Sequence, residues 1–340
     1  MRKGLRLSLL IAGLLQGSHL LADDFYKGKT VRVIVGGTAG GGFDVYTRAM
    51  TRHMGKHIPG NPSFIVENMT GAATRIAAKY IHSAARPDGL TFGIINGYLI
   101  LNQVLDPKRF DFDTRQYEYL GVPVQDNVAC VLRKETGITN VEQWMGAKTP
   151  VKMGGLGPGN STSDAVRIVK ETLNLPIQLV EGYKGTADVR LAADAGELGG
   201  ACWAWESIRA TWTKALQLGE VTPILQIPPK KQPDLQHVPL ALDLAKTEDA
   251  KQIIRAGGIV PSAITRVYVI PPKTPKARVE ILRNAFAATL KDSAFLVEAK
   301  KGGLEVNPLG GEEVKKTVDS LFALNPQTIA KLANILAPKQ

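Results

Sequence analysis

Two cysteines in 340 residues, Cys130 and Cys202, leave room for one disulfide at most. An exported chain can pair them. Both fall in segments that read as strands, where two buried thiols are the plainer outcome, and the sequence leaves the choice open. No Cys/His spacing suits a metal. His53 and His57 stand four apart on one helical stripe but have no third ligand in view, so neither metal nor cofactor is expected. Catalytic signatures are equally scarce, with no G-x-S-x-G elbow and no H-E-x-x-H. The acidic residues are not spaced as a catalytic pair. The chain is therefore expected not to be an enzyme.

Charge is one-sided without being blocked. Lys and Arg number 42 against 31 Asp and Glu, a formal excess of +11. The cations are scattered, and basic patches interleaved with aromatics are absent, which argues against a nucleic-acid partner. An excess of this kind suits anionic ligands through long-range steering. Long apolar runs are also missing. The longest, Leu7 to Leu15, is too short to span a bilayer and follows Arg2, Lys3 and Arg6. That order is a secretory signal, residues 1–22, with cleavage near Ala22 and no lipid-accepting Cys after it. The expected product is periplasmic.

The most informative stretch runs from Val31 to Asp44. Val31-Arg32-Val33-Ile34-Val35 reads as a buried strand, Gly36-Gly37-Thr38-Ala39-Gly40-Gly41-Gly42 as a loop, and Phe43 to about Lys56 as a helix. Tyr46, Met50, His53 and His57 form the helix's stripe, with Ala49 and Met54 beside it. A loop of this kind leaves backbone N–H groups free at a helix start, where the helix dipole favours an anion. Neither the G-x-G-x-x-G fingerprint nor the phosphate loop G-x-x-x-x-G-K-[ST] fits residues 36–45. A carboxylate is thus the better expectation than a nucleotide, against the plain alternative of a structural turn.

The pattern recurs. Val151-Lys152-Met153, then Gly154 to Asn160, then a helix from Ser161 form a second strand, glycine loop and helix. Asp44 and Asp164 each sit in the first turn after a loop, and Ser161-x-x-Asp164 has capping-box spacing. Both are expected to cap the helix, since a carboxylate there would repel an anionic ligand unless it oriented the loop from behind. Further strands are expected at 64–67, 91–95, 128–133, 177–180, 199–205, 221–227 and 266–270, with helices over 73–84, 138–145, 187–195 and from Pro275 to about Leu336. Ligands in open parallel sheets bind at the carboxyl ends of strands, where the first loop, Asn68 and Asn96 lie. Trp203 and Trp205 alternate onto one face; they belong either to the core or to the wall of a cleft.

Tyr26-x-Gly28-Lys29-x-Val31-Arg32-x-Ile34-Val35 followed by Ala39-Gly40-Gly41-Gly42-Phe43-Asp44 resembles the start of the tripartite tricarboxylate transporter receptors, the Bug-type periplasmic solute-binding proteins. Val66-Glu67-Asn68-Met69-x-Gly71-Ala72, Pro87-Asp88-Gly89-x-Thr91, Gly157-x-Gly159-x-Ser161, Gly182-Tyr183-Lys184-Gly185-Thr186 and Pro271-Pro272-x-Thr274-Pro275 resemble later signatures of that family in order. The resemblance implies an α/β, two-lobed periplasmic-binding-protein (type II, Venus flytrap) architecture with crossover hinge strands. Lobe I would comprise 23–124 and 230–340, and lobe II 125–229. It implies a monomeric receptor that holds a small organic carboxylate in an interlobe cleft and delivers it to a two-subunit integral membrane permease. The alternatives are an exported enzyme acting on a small carboxylic acid and a ligand-sensing receptor without a transport role. Carried over by position, the ligand contacts would be Thr38, Ala39, Gly42, Phe43, Asn96, Gly159, Ser161, Thr162 and Tyr183, with Trp203 added as a cleft wall. Gly37-Thr38 stand where many members have Phe-Pro, Phe43 where a small hydroxyl residue is usual, and Gly199 and Trp203 near a frequent acidic position. A bulkier, more apolar pocket follows, suited to an aromatic or extended carboxylate.

Overall fold

The computed structural model describes residues 25–337; the signal expected over 1–22 lies outside them. In chain order the elements used below are β1 (Thr30–Val35), α1 (Gly42–Met54), β2 (Ser63–Asn68), β3 (Thr91–Asn96), α2 (Tyr98–Leu105), β4 (Glu118–Val122), β5 (Val128–Arg133), β6 (Val151–Gly154), α3 (Ser161–Leu173), β7 (Ile177–Val180), α4 (Thr186–Asp194), β8 (Gly200–Ala204), β9 (Val221–Gln226), β10 (Arg266–Ile270), α5 (Lys276–Thr289), α6 (Ser293–Lys301) and α7 (Pro326–Leu336). The chain forms two compact units. The first comprises residues up to Ile94 with Gln116–Gly121 and Tyr268–Val306; the second comprises Ile95–Arg115, Val122–Val267 and Asn307 onward.

The first unit is built on strands in the order β4-β10-β3-β1-β2. β1 pairs in parallel with both β2 and β3, so the expected parallel arrangement is present; β10 runs antiparallel to β4. Val31, Val33 and Val35 alternate along β1 into one apolar cluster with Phe92, Ile94, Ala49, Met50, Met54, Leu282 and Phe286. That cluster clamps α1 and α5 onto the sheet. His53 and His57 stay outside it and pair with α6 and its cap: His53 Nε2 lies 2.7 Å from Glu298 Oε2, and His57 Nε2 lies 3.2 Å from Asp292 Oδ2.

The second unit carries a mixed sheet, β7-β6-β8-β5-β9. β6 is parallel to β7 and β8, while β5 is antiparallel to β8 and β9. Cys130 and Cys202 stand directly opposite on β5 and β8, with Cα atoms 4.0 Å apart, and form a disulfide. The plainer outcome of two buried thiols is thereby corrected, because the antiparallel register of strands 72 residues apart brings the sulfurs together.

Residues 95–115 and 230–267 fall within the second unit. Residues 241–263 are largely helical, and they pack with α7 against α3. At Gly257 an added Cβ would stand 2.7 Å from the side-chain methyls of both Ile168 and Leu332, so this face of the segment packs directly against them. Strand membership follows another line, with the second sheet drawn wholly from residues 128–226.

Candidate functional site

The first glycine loop leaves β1 and enters α1. The Gly36 amide donates to Ile94 O at 3.0 Å and the Gly41 amide to Thr38 O at 3.1 Å, closing a tight turn in which Gly40 takes φ +74°. Asp44 lies behind this turn, almost fully buried. Its Oδ2 accepts the Gly40 amide at 2.9 Å, its Oδ1 accepts the Asn68 side-chain amide at 3.0 Å, and Arg48 Nε lies 2.9 Å from both oxygens. Asn68 also donates to Gly37 O at 2.9 Å and accepts from Arg48 Nη2 at 3.1 Å. Burial opposes the charge on Asp44, but Arg48, the Gly40 N–H and the Asn68 amide outweigh it and hold the carboxyl below the usual range. Asp44 thus orients the loop from behind rather than capping the helix, whose N-cap Gly41 has no side-chain cap, and Arg48 neutralises it. Thr38, Ala39 and Gly42 are exposed, and Phe43 is half-buried against the apolar cluster.

Beside this loop the chain takes a strained path. Ala72, Ala73 and Thr74 have φ of 46°, 51° and 74°, a run of left-handed residues without glycine. Thr74 presses on the loop: a Cβ at Gly36 would stand 2.7 Å from its Cβ.

The second loop, from β6 into α3, is stitched differently. The Leu156 amide donates to Thr162 Oγ1 at 3.1 Å, the Gly157 amide to Ser163 Oγ at 2.8 Å, and the Gly159 amide to Asp164 Oδ1 at 3.1 Å. Asn160, rather than Ser161, caps the helix, its Oδ1 accepting from the Thr162 amide at 3.1 Å and the Thr162 hydroxyl at 2.9 Å. The capping residue therefore sits one position before the expected one, and Asp164 reaches past it to the loop. The hydroxyl and amide of Thr162 are both engaged inside the loop, and its side chain is buried. Ser161 is half-buried. Burial drives the Asp164 carboxyl up to about 7, against the Gly159 N–H and the nearby Arg167 guanidinium.

The other candidate contacts occupy varied surroundings. Asn96 is half-buried and its Oδ1 accepts the Tyr98 amide at 3.0 Å, which starts α2. Tyr183 is half-buried against the second unit's apolar cluster, ahead of α4, whose N-cap is Gly185. Trp203 lies inside that cluster, 3% exposed, stacked on Trp212 with ring centroids 5.3 Å apart. Its indole N–H has no hydrogen-bond partner among the described residues. Trp205, by contrast, donates to Asp234 Oδ2 at 2.8 Å.

Two features escaped the sequence. Asp126, largely but not fully buried, stands with its Oδ1 3.1 Å from Arg266 Nε, and burial raises its carboxyl despite that cation. Glu206 accepts from Asn127 Nδ2 at 2.9 Å and is raised by burial too. Nothing in the spacing of these residues announces the cluster. A recess of about 690 Å³ in the second unit, lined by Glu171, Asn174, Lys246, Asp249 and Lys331 among others, contains none of the candidate contacts.

The folded chain matches solved structures over nearly its full length. A TctC solute-binding protein from Polaromonas, without ligand, superposes with TM-score 0.68 at 17% identity, covering 92% of this chain and 99% of that one. The fold is that of periplasmic solute-binding proteins. MatC from Rhodopseudomonas palustris with bound malate gives TM-score 0.63 at 18% identity, covering 91% of this chain and 99% of its own. R. palustris Rpa4515 with adipate gives TM-score 0.64 at 20% identity, covering 90% and 97%. No family model matches the sequence, and no curated protein does. The solute-binding-protein fold thus rests on architecture rather than on close sequence kinship.

Proposed function

We propose that this protein is a periplasmic receptor of the tripartite tricarboxylate transporter type. It captures a small organic carboxylate and hands it, as a monomer, to a two-subunit integral membrane permease. The observation that carries the proposal is the first loop: an exposed turn at the start of a 13-residue helix whose one acidic neighbour, Asp44, is turned inward and neutralised by Arg48. Amides at such a helix start favour a carboxylate. Malate and adipate in structures of the same fold support the ligand class. Thr38, Ala39, Gly42 and Phe43 are the proposed contacts from the first loop, with Asn96 from the end of β3, and Gly159, Ser161 and Tyr183 are those from the second lobe. Thr162 and Trp203 act on the site from within the fold, Thr162 by fastening the loop and Trp203 by packing. The lobes proposed are 23–124 with 230–340, and 125–229.

Ligand-stripped protein should gain thermal stability from at least one acid in a panel of malate, adipate, citrate and benzoate, and mass spectrometry of the protein as first purified should find a trapped acid. No stabilisation by any organic acid would overturn the proposal.

A further inference from the structure

Asp164 is a buried ionisable group that its surroundings satisfy only in part. It is fully buried; Oδ1 accepts the Gly159 amide at 3.1 Å, and Oδ2 has no hydrogen-bond partner among the described residues. Arg167, one turn further along α3, makes only a long ion pair with it. Its Nη1 stands 3.5 Å from Asp164 Oδ1 without a hydrogen bond, while Nη2 is drawn to Glu181 Oε2 at 2.5 Å. Tyr98 on α2, hydrogen-bonded to Ser262 Oγ at 2.8 Å, is the other titratable group within the field of Asp164. The groups around this carboxyl are therefore one cation already engaged elsewhere, one further acid and one buried phenol.

A fully buried carboxylate with one short hydrogen-bond donor and a guanidinium held at 3.5 Å and shared with Glu181 has its charged form poorly supported and its neutral form well tolerated. Asp44, at the equivalent place behind the first loop, has amide donors and a guanidinium on both oxygens. Asp164 also stands directly behind Gly159 and close to Ser161. A second negative charge at those residues would repel an ionised Asp164 through protein, where like charges act more strongly than in water. We propose that capture of an organic anion at the second glycine loop is coupled to the uptake of one proton by Asp164, so that the anion binds to the neutral carboxyl and is released as it ionises. In that step the proton comes from solvent and goes onto Asp164 Oδ2; no other bond forms or breaks. The inference rests on the carboxylate-receptor proposal above.

The test is calorimetry of the full chain with malate, adipate, citrate and benzoate, at several pH values and in two buffers of different ionisation enthalpy. For an acid that binds, the expected result is net proton uptake that rises from about half a proton at pH 7 toward one proton by about pH 8.5. Affinity should fall by about tenfold per pH unit once the pH exceeds the carboxyl's midpoint. The Asp164→Asn variant, which keeps an acceptor for Gly159 but cannot ionise, should take up no proton and bind with a flat pH profile. Should that variant fail to fold, the proton count on the unaltered chain decides alone. Binding without proton uptake, or the same pH profile in both proteins, overturns the coupling while leaving the receptor proposal standing. Failure of every acid to bind between pH 5 and 8.5 overturns the receptor proposal and the coupling with it.

Discussion

The two glycine loops share a plan and differ in how it is held. Each follows a parallel strand, opens a 13-residue helix, and has an aspartate behind it that accepts a loop amide. In the first unit the ties come from outside the loop: Asn68 from β2, and Arg48 from the second turn of α1. In the second unit the loop is tied by its own helix, through Asn160, Thr162, Ser163 and Asp164. One carboxyl is consequently kept charged and the other is pushed toward neutrality. A repeated backbone motif thus does not imply repeated electrostatics; the side chains one turn further along decide.

The contrast can be broken most forcefully through the disulfide, which only the second unit has. Replacing both Cys130 and Cys202 by Ala should cost roughly 4 kcal/mol, since the bond closes a loop of 72 residues in the unfolded chain. Reversible denaturation, followed by probes in each unit, should place the loss in the second.

The pH dependence of the two aspartates should have opposite signs. Asp164 has a raised folded value of about 7, so its ionisation costs stability progressively from about pH 4 to pH 7. Asp164→Asn should accordingly be more stable than the parent at pH 8, by up to about 4 kcal/mol, and close to it at pH 4. Asp44 has a lowered value, so its contribution is present above the ordinary carboxylate range and lost as pH falls through the folded value. Asp44→Asn should be less stable at pH 7 by about 2 kcal/mol, the worth of a charge-assisted hydrogen bond, and the deficit should shrink in acid. Urea titrations at four pH values would check both; equal and parallel curves would erase the distinction between the loops.

Thr162→Val tests the self-tied loop directly. It removes an acceptor for Leu156 and a donor to Asn160, and should cost about 1–3 kcal/mol. The smallest effect is expected beside the first loop, where Ala73→Gly should relieve a left-handed residue and gain about 0.5–1 kcal/mol. A loss there would mean that the methyl group supports the loop.

Much of this was legible in the chain. The run of valines in β1, the glycines after it and the stripe Tyr46, Met50, His53 and His57 predict their own elements because each rests on local spacing, although the two histidines pair with α6 and its cap instead of joining the core. The parallel order in the first unit followed from strand and helix alternation. The disulfide was not legible, since it depends on a cross-strand register between segments far apart. The helices over 241–263 were missed because Gly257, Gly258 and Pro261 interrupt the pattern that marks a helix. The raised carboxyl of Asp164 was hidden for a different reason: how far Arg167 offsets its burial depends on Glu181, a competitor from another element. The left-handed run at Ala72–Thr74 has no compositional mark, because the residues that adopt it are not the ones that prefer it.

The tie from Asn68 also bears on how this protein can diversify. Surface loops ordinarily drift in length, gaining and shedding residues at little expense. Here one amide side chain, fixed by the pairing of Asn68 with Val35, grips both the Gly37 carbonyl and Asp44 and so measures the span between them. A single inserted residue would throw both grips out of reach, so relatives are expected to vary here by exchange of side chains within a segment of constant length.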